Sequence, residues 1–158
     1  MSRAAKLAAR TVVSALAMAA VCSPLSSSAQ RAPVRVAIGE LAARGERGAA
    51  RAFSDALVEA LEQQPSIDLA PARRADLVLR GSISRWERRR VAGQLEVRCE
   101  VSLIVSEARG GSILAMLHGR GGARGAGDVT RLSSDALRAA VRGALRPLSA
   151  RSELLARR

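Results

Sequence analysis

The sequence predicts an α+β fold: a two-layer sandwich with a mostly antiparallel sheet of about five strands and two helices packed on one of its faces. Three observations predict it. From Gln94 to Ser106 apolar and polar residues alternate, with Leu95, Val97, Cys99, Val101, Leu103 and Val105 on one side and only Ile104 breaking the polar side. Successive strand side chains project to opposite faces, so this is a long strand with one dry and one wet face. Two other segments, Ala49–Gln64 and Arg131–Arg146, carry apolar stripes at helical spacing. The element order reads β-α-β-β-β-β-α. Two such helices cannot bury their stripes on each other and leave a half-dry sheet uncovered, so both belong on its dry face.

The chain opens with a targeting pattern. Arg3, Lys6 and Arg10 precede a short apolar run, Thr11–Cys22, and Ser27 and Ala29 satisfy the small-x-small rule for cleavage before Gln30. The run is well short of the ~20 residues that span a bilayer. Residues 1–29 are therefore expected to be a cleavable signal peptide, 30–149 a single α/β domain and 150–158 a basic tail. The expected destination is the periplasm. A retained signal, or a lipid on Cys22, would instead hold the protein at the membrane, although a lipobox wants a small residue where Val21 stands.

The remaining elements follow in order. Val34–Ile38 alternates as a short strand, and Gly39–Gly48 reads as a loop rich in Gly, Ala and charge. In the first helix Phe53, Ala56, Leu57, Ala60 and Leu61 share one stripe, and Pro65 ends it. Glu59 and Glu62 sit near its C-terminal end, against the helix dipole, so that helix depends on packing. Ile67–Ala70 is a second strand and Pro71–Ala75 a turn. After Asp76, Leu77, Leu79, Gly81 and Ile83 share one face of a third strand, with Val78, Arg80, Ser82, Ser84 and Trp86 on the other. Arg88–Gly93 reads as a charged connection to the Gln94 strand. Glu107–Gly111 is a hairpin turn. Ser112–Arg120 is the last strand, Gly119–Gly127 a flexible glycine-rich linker, and Asp128 or Thr130 the cap of the final helix. That helix carries Leu137, Ala140, Val141, Ala144, Leu145 and Leu148 on its stripe.

Composition narrows the function. The formal charge is +12, and the signal holds three of those positive charges, leaving about nine. All basic residues after the signal are arginine, a bias that fits a GC-rich coding sequence. The excess favours anionic partners such as lipid headgroups, lipopolysaccharide or acidic proteins. Export argues against nucleic acid, and with Phe53 and Trp86 the only aromatic residues there is no stacking platform for single strands. Beyond the signal only Cys99 remains, so no intramolecular disulfide is available and the core must suffice. A thiol among Val and Leu has its thiolate disfavoured.

No catalytic set is apparent. His118 is the sole histidine, too few for a metal site or a triad. The glycines from Gly119 to Gly127 lack the Lys-Ser/Thr ending of a P-loop, and Arg124 stands where the dinucleotide pattern needs glycine. Glu96, Arg98 and Glu100 read as ordinary charge partners along one strand face. No cofactor or metal is expected. Trp86 beside Glu87, Arg88, Arg89 and Arg90 combines an amphipathic ring with an arginine cluster, as interface anchors do. With Arg80 and Arg98 these residues, namely Arg80, Trp86, Arg88, Arg89, Arg90 and Arg98, form the candidate partner contact.

Several short motifs carry a resemblance. They are the strand Val34-Arg35-Val36-Ala37-Ile38, the helix Phe53-Ser54-Asp55-Ala56-Leu57-Val58-Glu59-Ala60-Leu61, the run Ala75-Asp76-Leu77-Val78-Leu79-Arg80-Gly81-Ser82-Ile83, and the helix Ala136-Leu137-Arg138-Ala139-Ala140-Val141. Together they resemble the envelope αβ domains of the curli-secretion lipoprotein family, the N-terminal domain of the Tol-Pal translocation protein, and related lipoprotein activators of peptidoglycan synthases. The chain departs from them at the turn Glu107-Ala108-Arg109-Gly110-Gly111, where those families write an aspartate-threonine-glycine-like sequence. It also lacks a convincing acylated cysteine, a following propeller and pore-forming insertions. The resemblance implies a non-catalytic domain that docks onto envelope proteins. The expected function is thus a binding or assembly module for another cell-envelope component. The alternatives are a binder of anionic lipid or lipopolysaccharide and, less favoured, a cell-wall hydrolase.

Overall fold

A computed structural model of the chain describes residues 32–43 and 48–155. The expected signal peptide lies outside the described residues, as does the end of the expected basic tail. The elements are β1 (Val34–Ala43), α1 (Ala49–Glu62), β2 (Ile67–Leu69), a single 3-10 turn (Ala72–Arg74), β3 (Leu77–Val91), β4 (Gln94–Glu107), β5 (Ile113–Gly125) and α2 (Val129–Leu155).

The five strands form one sheet in the order β2-β1-β3-β4-β5. The two long ladders, β3 with β4 and β4 with β5, are antiparallel, while β1 runs parallel to both β2 and β3. The parallel pair β1 and β2 is joined by a crossover that carries α1, as parallel neighbours require. Strand β2 pairs only with Val34–Val36, and β3 joins β1 from Val36 onward, so the chain steps past the end of β1 between them. That step is clamped: Asp76 N–H donates to Arg35 O (2.8 Å), and Arg35 Nη2 and Nε donate to the Asp76 carboxylate at 2.8 and 3.1 Å.

Both helices lie on the dry face and close one core. Phe53, Leu57 and Leu61 of α1 meet Leu79, Val97, Val101, Leu103 and Val105 of the sheet, with Leu137, Val141 and Leu145 of α2 completing the cluster. Every residue expected on the two helical stripes is buried, and Cys99 is 1% exposed. Glu59 lies in the C-terminal half of α1. It pairs with Arg138 of α2 at 3.0 Å, tying the helices together.

Four boundaries differ from expectation, each for a physical reason. Strand β1 continues to Ala43 where a loop was expected, passing an irregularity between Ile38 and Leu41. At Gly39 a Cβ would stand 3.0 Å from Val78 Cγ1 and Arg80 Cγ, so the missing side chain lets β1 stay beside β3. Residues 88–91 belong to β3, not to a connection. The hairpin is closed by Ala92 and Gly93 alone, both at positive φ (49° and 76°), the geometry of a two-residue type I′ turn.

The glycine-rich run is strand β5 as far as Gly125, not a flexible linker. Gly119 and Gly121 face α2, where an added Cβ would collide with the backbone carbonyl oxygens of Ala140 and Ala136. Glycine on the strand and alanine on the helix let the two backbones approach. Helix α2 is also longer than expected. It starts after Asp128, whose Oδ1 accepts the Thr130 N–H at 3.1 Å, and it continues through Pro147, with buried Leu148 holding the following turn to the core.

Candidate functional site

The decisive local feature is a β-bulge in β3. Ile83 pairs with Val101 and Arg85 pairs with Glu100, so Ser84 and Arg85 together oppose a single residue of β4. A bulge adds one residue and shifts the phase of every side chain after it. Beyond it, Trp86 stands opposite Cys99 and Arg88 opposite Val97, both on the helix-covered face, while Arg85, Glu87 and Arg89 take the open face.

The expected contact set is therefore split. Arg80, Arg89 and Arg98 remain on the open face. Trp86, Arg88 and Arg90 pair with the inward residues Cys99, Val97 and Leu95 and leave it. Regular alternation from Leu77 carries Trp86 outward, which is why the sequence reading placed it there. The available signal was a bulky indole out of phase with the apolar residues before it.

The open face is a lattice of ion pairs. Glu96 accepts from Arg98 Nε (2.7 Å) and from Arg89 Nε and Nη2 (3.0 and 3.2 Å). These two guanidinium groups, Arg98 first, hold the Glu96 carboxyl below its ordinary range against the opposing effect of burial. Arg85 pairs with Glu87 at 2.8 Å and Arg120 with Glu100 at 3.2 Å. Such exposed pairs add little stability individually. Their effect is to fix the pattern of charge presented to solvent.

Next to this lattice the face becomes apolar. Met116 lies opposite Ile104, and Met116 and Ile113 are 61% and 64% exposed on β5. Strand β5 is also an outer strand of the sheet, paired only with β4 among the described residues. One contact here has no signal in the sequence. Ser102 Oγ and His118 Nδ1 lie 3.1 Å apart, brought together by the β4–β5 register. No carboxylate bonds to His118 among the described residues, and the pair sits on an open sheet surface, so nothing orients it as a nucleophile and base.

The inward-turned residues build a second feature. Trp86 and Arg88 form one wall of a cleft of roughly 360 Å³ between the first turns of α1 and α2, with Val129, Ser133 and Leu137 opposite. The Arg88 guanidinium lies 6.0 Å from the Trp86 ring centroid, and its Nη2 is 3.4 Å from Ser133 Oγ. Trp86 Nε1 is buried with no hydrogen-bond partner among the described residues.

Among the described residues there is no group of three or more His, Cys, Asp or Glu suited to a metal, and no helix long and apolar enough to cross a membrane. Cys99 is buried against the core, and burial, with the neighbouring Glu100 charge, pushes its thiol up to about 12.

No protein-family model and no curated protein matches the chain. Solved structures share its fold. The PelC dodecamer from Paraburkholderia phytofirmans is similar with a TM-score of 0.57 and 15% identity, over 75% of this chain and 89% of that one. Protein XCC0632 from Xanthomonas campestris, of family DUF330, has a TM-score of 0.55 at 17% identity, covering 76% of this chain and 83% of that one. Lipoprotein GNA1162 from Neisseria meningitidis has a TM-score of 0.50 at 9% identity, covering 80% of this chain and all of that one (100%). At these identities the likeness establishes the fold alone. It runs to PelC, DUF330 and lipoprotein structures, and the curli-secretion and Tol-Pal names rest only on the motif resemblance.

Proposed function

We propose that this chain is a non-catalytic, exported protein of the bacterial cell envelope, acting as a binding or assembly module through its open sheet face and the adjoining strand β5. The observation that carries this reading is the one-sided sheet. Helices cover one face, and the other offers an ordered charge lattice beside exposed Met116 and Ile113 on an outer strand. An unpaired strand edge bordered by apolar side chains is a template for strand addition or face-to-face docking. The signal-like N-terminus supports export, with residues 1–29 removed and a single domain following, whose last helix runs to Leu155. The fold's occurrence in lipoprotein GNA1162 supports an envelope setting, and its occurrence in the PelC dodecamer supports a role in assembly.

Crosslinking in intact cells tests the proposal. A single envelope protein should be recovered with the wild-type chain and lost with Arg98→Glu. Recovery that is identical for wild type and Arg98→Glu would contradict docking by this face. N-terminal sequencing of the exported protein should begin at Gln30.

A second reading is favoured by the arginine excess on the open face, where Arg80, Arg85, Arg89, Arg98, Arg120 and Arg124 face Glu87, Glu96 and Glu100. Attachment to anionic lipid or lipopolysaccharide through these charges should weaken as salt is raised. Equal co-sedimentation with anionic and neutral vesicles would exclude it.

A further inference from the structure

We infer that strand β5 takes an acidic, extended segment of a partner protein as an added strand of the sheet. This rests on the docking role proposed above and names the partner's chemistry at β5.

The two edges of the sheet differ. Strand β2 is 3 residues long and β5 is 13. A very short edge strand is one protection against unwanted pairing, and β5 lacks it. Its ladder to β4 runs without a break from Ala115 to Gly125, and no proline interrupts it. Among the described residues no backbone bond joins β5 to any other strand or loop. In an antiparallel ladder alternate residues turn their N–H and C=O away from the neighbour, so β5 presents a row of free donors and acceptors along its outer edge. Helix α2 passes close by: a Cβ on Gly143 would stand 3.6 Å from the Arg120 carbonyl oxygen and 3.9 Å from its nitrogen. Glycine at 143 keeps a helix side chain off this part of the edge.

The side chains along β5 select the partner. The register puts Met116, His118, Arg120 and Arg124 on the open face, opposite Ile104, Ser102, Glu100 and Glu96. Ile113–Gly125 contains no Asp or Glu. The Arg120 side chain stays 83% exposed while it pairs with Glu100, and Arg124 bonds a carbonyl, Val91 O, at 3.3 Å. The acids behind them on β4 are engaged, Glu96 by Arg98 and Arg89 and Glu100 by Arg120. An incoming strand therefore meets positive charge at Arg120 and Arg124 and an apolar side chain at Met116. An antiparallel segment with two carboxylates four residues apart, and an apolar residue four further on, matches all three by direct cross-strand pairing. A second copy of this chain fits less well. Self-pairing centred on Arg120 sets that arginine against its own copy, and centring on Gly122 sets Arg120 against Arg124. Like charges directly opposite are destabilising. Main-chain bonds along the edge supply affinity in such additions, and the alternate side chains supply specificity.

The test uses the exported protein and a capped peptide, Glu-Thr-Val-Thr-Glu-Thr-Val-Thr-Val, which carries that spacing. The comparison peptide has Lys in place of both Glu. By calorimetry in low salt, where exposed charges act over the longest range, the acidic peptide should bind saturably and at least tenfold more tightly than the Lys peptide. The double variant Arg120→Glu, Arg124→Glu should reverse that order. N-methylation separates strand addition from charge attraction alone: methyl groups on one alternate set of peptide nitrogens should abolish binding, and on the other set should leave it within about threefold. Hydrogen exchange should show alternate β5 amides unprotected in the free protein and protected by the acidic peptide. Equal affinity for the two peptides, equal effects of the two methylated sets, or no binding of the acidic peptide would overturn the inference. So would edge amides already protected in the free protein, the result expected if a second copy occupies β5. Crosslinking in cells that depends on Arg98 reports on docking separately: its persistence without peptide binding would remove the added strand and leave the open-face reading standing.

Discussion

Asp76, Glu96, Cys99 and Ala92 have behaviour set by their immediate surroundings. The Arg35 side chain bonds the Asp76 carboxylate and holds its pKa below the usual value, and Glu96 is held low in the same direction by Arg98 and Arg89. A carboxylate with a lowered folded pKa contributes stability above its unfolded value, near 4, and that contribution is lost as the pH falls through the folded value. Acid unfolding monitored by circular dichroism should therefore steepen below about pH 4, and Asp76→Asn should flatten that limb. Cys99, with its thiol raised to about 12 by burial, should resist iodoacetamide at pH 8 in a Cys22→Ala background and react only as fast as the protein unfolds. Ala92 holds φ 49° in the hairpin turn, a conformation that costs a non-glycine residue about 1 kcal/mol. Ala92→Asn should raise the thermal midpoint, since asparagine tolerates that conformation and suits a type I′ turn.

Among the elements, the interface between β5 and α2 is the least forgiving. Gly121→Ala forces a Cβ onto the Ala136 carbonyl, where backbone rather than a movable side chain must yield. It should cost about 3 kcal/mol, the upper part of the usual overpacking range, as read by urea denaturation. Gly127→Ala, with nothing within 4 Å of its Cβ, should be close to neutral. The bulge makes a less obvious prediction. Because Ser84 is the extra residue, deleting it should leave Trp86 opposite Cys99, with its emission still that of a covered indole. A red-shifted emission would mean that the strand is regular and the phase assignment wrong.

The fold was largely legible in the sequence, because burial imposes periodicity. Period two along Gln94–Ser106 and the helical stripes of Phe53–Leu61 and Leu137–Leu148 all mark the buried faces. What escaped were features that periodicity does not encode. Glycines lining Gly119–Gly125 look like a linker until the facing alanines of α2 are known, and the Ser84 bulge inverts the side of Trp86 with no local composition signal. Of the candidate contact residues, Arg80 and Arg98 take the open face that alternation gives them and Arg89 joins them as part of β3, whereas Trp86, Arg88 and Arg90 turn to the helix side. For the whole molecule, one covered face and one open face are the basis of the proposed role. The most direct measurement places a photo-crosslinking residue at Met116 on the open face or at Arg142 on exposed α2, in living cells. A discrete crosslinked envelope protein is expected from position 116 and none from 142. Capture from 142 with none from 116 would contradict it.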